Sequence, residues 1–118
     1  MELTQEIIDG LVGGQIEVQN RNENYLYRGE ISGMRLEPEG DSFKLVVDLN
    51  WFAKMDRDGG WDVADTKPYV VSLLIYSVSD IGDGRFFLSS WIVGENTTIF
   101  PPGGSKLDPN KVRGLVLA

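Results

Sequence analysis

The sequence contains no cysteine and no histidine among its 118 residues. Without thiols it has no disulfides and no thiolate nucleophile, and without imidazoles it has no histidine-dependent triad or acid–base scheme. Zinc sites of the usual kind are excluded for the same reason. Most small-enzyme mechanisms therefore lose their central residue. We predict a protein that is not an enzyme and that uses no cofactor and no metal.

Long apolar runs and an excess of positive charge are also missing. No apolar stretch approaches the roughly 20 residues of a membrane span, and the N-terminus is acidic where a signal peptide would be basic. This predicts a soluble cytoplasmic protein without membrane contact, and the length predicts one domain over residues 1–118. Eleven basic and eighteen acidic side chains give a net charge of −7. That charge opposes nucleic acid binding unless the basic residues are segregated, and their order shows no segregation.

The stretch from Phe43 to Met55 alternates between apolar odd positions and mostly polar even positions. A period of two is typical of a β-strand with one buried face, whereas a helix would scatter the same residues around its axis. The pattern predicts a long central strand whose odd side chains lie in the core.

The rest of the chain predicts a mainly β fold. An amphipathic helix is predicted over residues 3–12, with Thr4 as its cap, and a helical turn is predicted at Asp108 and Pro109. Between them, strands are predicted at 15–19, 25–36, 69–80, 85–93 and 97–100, with a loop at 56–68. These short strands predict a small, strongly bent antiparallel β-barrel with a short N-terminal helix and a C-terminal helical turn.

Two glycines in the second strand, Gly29 and Gly33, allow the sharp bends that a small barrel needs. A three-residue hairpin loop at 39–41 would place Gly29 opposite Trp51 and Ile31 opposite Leu49, and a five-residue loop would shift each pair by two.

The Asp83-Gly84 dipeptide between β-rich runs predicts a hairpin with a two-residue turn. This register gives the hairpin two apolar faces and places Tyr76 opposite Trp91. One face carries Leu73, Ile75, Ile81, Phe86, Leu88 and Ile92, and the other carries Leu74, Tyr76, Val78, Phe87, Trp91 and Val93. Because an antiparallel hairpin needs only one apolar face, the second is predicted to bind another copy or a protein partner. The intramolecular alternative is a cover made by the N-terminal helix and the tail at 115–117.

An N-terminal helix followed by short bent strands resembles the architecture of Sm-like proteins. Gly29 lies within the second strand as a family glycine does, and the run from Ile92 to Ile99 resembles the closing Sm signature. The resemblance implies a barrel that oligomerises through its strand edges. The RNA-contacting Asp-x-x-x-Asn pattern of the family has no match, and Val93 stands where an Arg normally precedes the closing glycine.

Other polar and aromatic groups suggest alternatives. The loop carboxylates Asp56, Asp58, Asp62 and Asp65 lack the spacing of a calcium loop, so a solvated acidic loop is expected. Trp61 in that loop is interpreted as a ligand contact or, in preference, as a lid over one end of the barrel. A single-stranded RNA or DNA binder would stack bases on Tyr25, Tyr27 and Trp51. A sugar-active enzyme would pair carboxylates from Glu30, Asp48 and Asp56. We favour a non-enzymatic binding and assembly module.

Overall fold

The computed structural model describes residues 2–64, 69–104 and 106–116. One α-helix, α1, spans Gln5–Leu11 and a 3-10 turn spans Pro109–Lys111. The strands are β1 Gln15–Asn20, β2 Tyr25–Glu39, β3 Ser42–Met55, β4 Trp61–Val63, β5 Tyr69–Gly82, β6 Arg85–Ser90, β7 Glu95–Phe100 and β8 Val112–Arg113. The mainly β prediction is confirmed.

Six antiparallel strands close into a barrel in the order β2-β1-β7-β6-β5-β3, and the pairing of β2 with β3 completes the circle. Strands β4 and β8 extend the sheet outside this circle. β4 pairs antiparallel with the end of β3, and β8 pairs parallel with β4. The prediction that 56–68 is only a loop is therefore wrong at 61–63.

Helix α1 covers part of the barrel interior, as its amphipathic stripe requires. The Thr4 hydroxyl accepts a hydrogen bond from the Ile7 amide at 3.3 Å, which confirms the predicted cap. Ile8 and Leu11 are 1% and 3% exposed and belong to the interior cluster.

Strand β3 crosses the centre of the fold, but two compensating bulges interrupt its pairing with β2. The hairpin loop contains only Gly40 and Asp41, one residue fewer than predicted. Ser32 on β2 and Asn50 on β3 are left without partners in the ladder, so the register shifts by one and then returns. Ile31 consequently faces Leu49 as predicted, whereas Gly29 faces Phe52 rather than Trp51.

The Asn50 bulge moves the buried side chains of β3 from one face of the sheet to the other. Leu45, Val47 and Leu49 lie in the interior cluster, whereas Trp51 and Ala53 belong to a second cluster. The remaining members of that cluster are Val112 and the half-buried Trp61, Val63, Leu107 and Leu115. The odd positions from 45 to 53 are buried as predicted, but they serve two cores rather than one.

The C-terminal segment forms the cover of this outer cluster. The Gln15 side chain donates to the Leu107 carbonyl at 3.0 Å and accepts from the Leu107 amide at 2.9 Å. Gln15 is 1% exposed, so these bonds satisfy an amide that would otherwise be buried at a cost. The predicted helical turn is present as the 3-10 turn, with the Asp108 carboxylate accepting from the Asn110 amide.

The β5–β6 hairpin departs from the predicted uniform register. Gly82 pairs with Arg85 as expected, but Ile81 and Tyr76 are skipped, and each bulge shifts the pairing by one residue. As a result, Val78 is buried inside the barrel at 5% exposure, while Ile81 is exposed at 42%. The assignment of Val78 to the outer face and of Ile81 to the core face is wrong, because one extra residue exchanges the faces of a strand.

Candidate interaction surface

Four large apolar side chains lie exposed at the end of β6 and on the adjacent part of β5. Tyr76, Trp91, Ile92 and Val93 are 55%, 57%, 54% and 79% exposed, and we call them the Tyr76–Trp91 surface. The rings of Tyr76 and Trp91 are 4.9 Å apart between centroids and tilted by 53°. They border a depression of about 360 Å³ whose other side is formed by residues 92–96. Tyr76 and Trp91 are therefore neighbours as predicted, although neither is paired in the ladder.

Three residues of this surface, Trp91, Ile92 and Val93, lie on a turn that polar neighbours hold in place. Strand β6 ends at Ser90, whose hydroxyl accepts from the Ile92 amide at 3.0 Å. The Asn20 side chain, 1% exposed, donates to the Val93 carbonyl at 3.3 Å. Gly94 has φ of +82° and packs against the side chains of Asn22 and Asn20, where a β-carbon would lie 2.7 Å from Asn22 Nδ2 and 2.9 Å from Asn20 Oδ1. The turn is thus fixed in position while its three apolar side chains extend into solvent.

The Trp91 indole is oriented by a contact with a neighbouring strand. Its Nε1 donates to the Ser42 hydroxyl at 2.9 Å, and its amide donates to the Leu74 carbonyl at 3.1 Å. The polar edge of the indole is satisfied, so what remains for a partner is the apolar ring, a geometry typical of tryptophan at interfaces.

The structure brings together part of the predicted second face. Tyr76, Trp91 and Val93 are exposed together, Leu74 and Phe87 are half-buried, and Val78 lies in the core. Sequence reasoning missed Ile92, which alternation had assigned to the opposite face. The signal was Gly94, because a turn glycine within 91–94 ends the strand before the alternation reaches Ile92.

Neither predicted intramolecular cover lies on the Tyr76–Trp91 surface. Helix α1 inserts Ile8 and Leu11 into the interior cluster, to which Leu3 before its cap also belongs, and Leu115 packs against the outer cluster on β3. Leu117, the last apolar residue of the predicted tail, lies outside the described residues. Within the described ranges, the surface keeps its apolar side chains in solvent.

The acidic loop is organised around an arginine that the sequence did not indicate. Arg113 on β8 bonds Asp56 at 3.1 Å, Asp58 at 3.0 Å and Asp62 at 2.8 Å. Hydrogen bonding from Arg113 holds the pKa of Asp58 below its ordinary value of 3.8, and the Gly60 amide adds to this effect. The same contact with Asp58 raises the pKa of Arg113. Asp65, the fourth predicted carboxylate, lies outside the described residues.

The aromatic residues considered for ligand contact pack mainly within the protein. Trp61 is half-buried against the outer cluster, and the Arg28 guanidinium lies 6.0 Å from its ring centroid. Trp51 is 1% exposed. Tyr27 stacks on Phe52 at 4.8 Å.

Tyr25 combines a packed ring with a buried hydrogen bond. Its hydroxyl donates to the Glu95 carboxylate at 2.8 Å. Burial, and then this bond to Glu95, raise the pKa of the Tyr25 phenol. The phenol therefore stays protonated at neutral pH and links β2 to the start of β7.

The carboxylates considered for sugar chemistry have separate partners. Glu30 accepts from the Asn50 amide at 2.9 Å, Asp48 lies 3.6 Å from Arg35, and Asp56 binds Arg113. Each is thus engaged with a different neighbour at its own place on the barrel.

Comparison of the chain with protein-family models, with curated proteins and with solved structures finds no match. What the structure shows is a small closed antiparallel barrel of six strands. None of the helices in the described part of the chain has the length and apolar character needed to cross a membrane.

Proposed function

We propose that this protein is a non-enzymatic assembly module that self-associates through the Tyr76–Trp91 surface. The observation that carries the proposal is the turn at 91–94, where Trp91, Ile92 and Val93 follow one another in solvent. Turns are normally polar because they lie at the surface, so three consecutive apolar residues there are unexpected for a free monomer. Exposed contiguous apolar side chains of this kind mark protein interfaces.

The rigid presentation of this turn favours binding. Asn20 and Gly94 fix the backbone beneath the apolar side chains. A partner would therefore spend little conformational entropy on ordering the turn. Trp and Tyr at the centre of the surface are the residue types that most often dominate binding energy.

An open strand edge beside the surface supports a second copy as the partner. The pairing of β3 with β5 ends where Phe43 faces Ile75. Beyond this point, residues 77–82 of β5 pair on one side with β6, and on their other side they have no partner among the described strands. An edge of this kind can add a strand, and the same edge of a second copy would meet it across a two-fold axis. The Sm-like resemblance, which implies edge-to-edge association, agrees with this arrangement.

The test is the change Val93→Glu, compared with Val116→Glu. Both valines are about equally exposed, at 79% and 80%, so neither charge should unfold the monomer. Val116 follows β8 near the far end of β3, away from Tyr76. By multi-angle light scattering at high micromolar concentration, we expect an oligomer for the wild type and Val116→Glu, and a folded monomer for Val93→Glu. A monomeric wild type, or equal behaviour of the two variants, would refute self-association through this surface.

Tryptophan fluorescence gives an independent measurement. Trp51 is buried and Trp61 is half-buried, whereas Trp91 is 57% exposed. Quenching by acrylamide should therefore report chiefly on Trp91 and should weaken as the protein concentration rises. In Trp91→Phe the quenching should be low and independent of concentration.

A further inference from the structure

A second cavity, of about 450 Å³, lies where the β1–β2 hairpin meets the end of β3. Residues 19–21 and 24–26 form one wall and residues 54–57 form the other. Three of its lining residues are basic, namely Arg21, Lys54 and Arg57. They come from two distant segments of a chain whose net charge is −7. Positive charge is thus gathered at one point of an acidic protein.

Two carboxylates beside these basic residues already bind Arg113, which they share with Asp58. Asp56 is the acidic residue in its lining, and it binds Arg113 at 3.1 Å. Asp62, the cross-strand neighbour of Lys54, binds Arg113 at 2.8 Å. In the part of the chain that the structure describes, the ion pairs within 4.0 Å involve Arg28, Arg35, Lys44, Arg85 and Arg113. The three basic residues of the cavity are therefore left without a carboxylate in that part.

From this charge pattern we infer that the cavity binds a small phosphate-bearing molecule. Arginine forks and a lysine ammonium are the side chains that bind phosphate oxygens most effectively. The amides of Gln19 and Asn24 add further donors, and Leu26 and Met55 offer apolar contact to the rest of a ligand. The volume lies within the range of small-molecule sites, roughly 300–1,000 Å³.

The charge of the whole protein favours a small anion over a nucleic acid. At physiological ionic strength the field of an exposed charge is screened over about 8 Å, so a small ligand inside the cavity experiences mainly the charges of its lining. These are three basic residues and one carboxylate, Asp56. A polyanion extends beyond that distance and meets the excess of carboxylates. The site therefore selects for compact phosphates, and this selection is independent of the Tyr76–Trp91 surface.

The experiment measures pyrophosphate binding to the full chain by isothermal titration calorimetry, at two ionic strengths. We expect saturable binding at one site, weakened by added salt. The double variant Arg21→Gln/Lys54→Gln should lose at least tenfold in affinity. The matched control Arg85→Gln/Lys111→Gln removes the same charge at exposed positions outside the cavity and should stay within about twofold of the wild type, because distant exposed charges are screened.

The variants are suited to this comparison because all four side chains lie at the surface. Arg21, Lys54 and Lys111 are exposed, and Arg85 is partly exposed, so each substitution should leave the fold intact. Absence of saturable binding, or an equal loss in the two double variants, would overturn the assignment. So would a single-stranded RNA oligonucleotide that binds more tightly than pyrophosphate with the same sensitivity to Arg21→Gln/Lys54→Gln.

Discussion

The two glycines of β2 should respond in opposite directions to alanine. A β-carbon at Gly29 would lie 2.7 Å from the Trp51 carbonyl oxygen and 3.0 Å from both Leu49 Cδ1 and Phe52 Cδ1. An ordinary contact begins at 3.4 Å, so the Trp51 backbone must move by several tenths of an ångström. At Gly33 the nearest atom is a side-chain oxygen of Asp48 at 3.4 Å, which requires no movement.

The magnitude of each effect follows from two opposing contributions. Alanine stabilises by roughly 0.4–1 kcal/mol because it restricts the unfolded chain, whereas overpacking against a fixed backbone costs roughly 1–3 kcal/mol. We therefore expect Gly29→Ala to destabilise by about 1–2 kcal/mol and Gly33→Ala to be neutral or slightly stabilising. An unfolding entropy of about 2.1 cal/mol/K per residue gives roughly 0.25 kcal/mol/K for this chain, so each kcal/mol moves Tm by about 4 °C.

Thermal unfolding followed by circular dichroism, with urea unfolding as a second measure, tests this pair. Gly29→Ala should melt about 4–8 °C below the wild type, and Gly33→Ala should melt at or slightly above it. If Gly29→Ala melts with the wild type, the close approach of β3 to β2 at the Asn50 bulge is wrong. If both variants melt below the wild type by the same amount, the decrease in Tm is caused by replacing any glycine in this bent strand and not by the contact of Gly29 with Trp51.

Three further predictions concern the core, the acidic loop and nucleic acid. Leu49 is 7% exposed and belongs to the interior cluster, so Leu49→Ala should lower the free energy of unfolding by roughly 2–5 kcal/mol. A decrease of less than half a kilocalorie, measured by urea unfolding, would refute the placement of this side chain. Because the pKa of Asp58 is lowered by Arg113, its stabilising contribution is present above the ordinary value of 3.8 and disappears as pH falls through the lowered one. The Tm difference between wild type and Arg113→Gln should therefore narrow between neutral pH and about pH 3, and a constant difference would contradict this. Mixed RNA or DNA oligonucleotides should bind more weakly than micromolar at physiological salt, and tighter, salt-sensitive binding would contradict the charge argument.

Local patterns predicted most of the fold. The alternation from Phe43 to Met55, the Thr4 cap and the Asp83-Gly84 turn each depend on residues close in sequence, and each is present in the structure. A barrel follows from them because bent strands with one apolar face bury that face most completely by closing.

The bulges could not be predicted in the same way, and they caused the errors in side-chain assignment. A bulge is decided by packing between strands, and one extra residue exchanges every later face. The bulge that skips Tyr76 brings Val78 into the core, and the bulge at Asn50 turns Trp51 to the outer cluster. Residues 91–93 are apolar like the strand before them, so the strand was predicted to continue to residue 93, whereas β6 ends at Ser90 and a turn follows.

The cationic cavity could not be predicted from the sequence for a different reason: its charged side chains become neighbours only in the folded protein. Arg21 is far in sequence from Lys54 and Arg57, and the order of charges shows no basic segment. The carboxylate in its lining, Asp56, binds Arg113, which lies more than fifty residues further along the chain. The net charge determines the electrostatic field far from a protein. The field at a binding site depends instead on which charged side chains the fold brings together and which of them form ion pairs.

These features are connected through Asn50, the bulged residue of β3. Its bulge turns Trp51 to the outer face of the sheet, where a side chain of that size needs cover. The C-terminal segment supplies the cover through Val112, and the pairing of β8 with β4 places Arg113 beside the acidic loop. Arg113 then binds Asp56 and Asp62, so that both carboxylates are paired with it and not with the cations of the cavity. A change in strand register thus determines where this acidic protein can attract an anion.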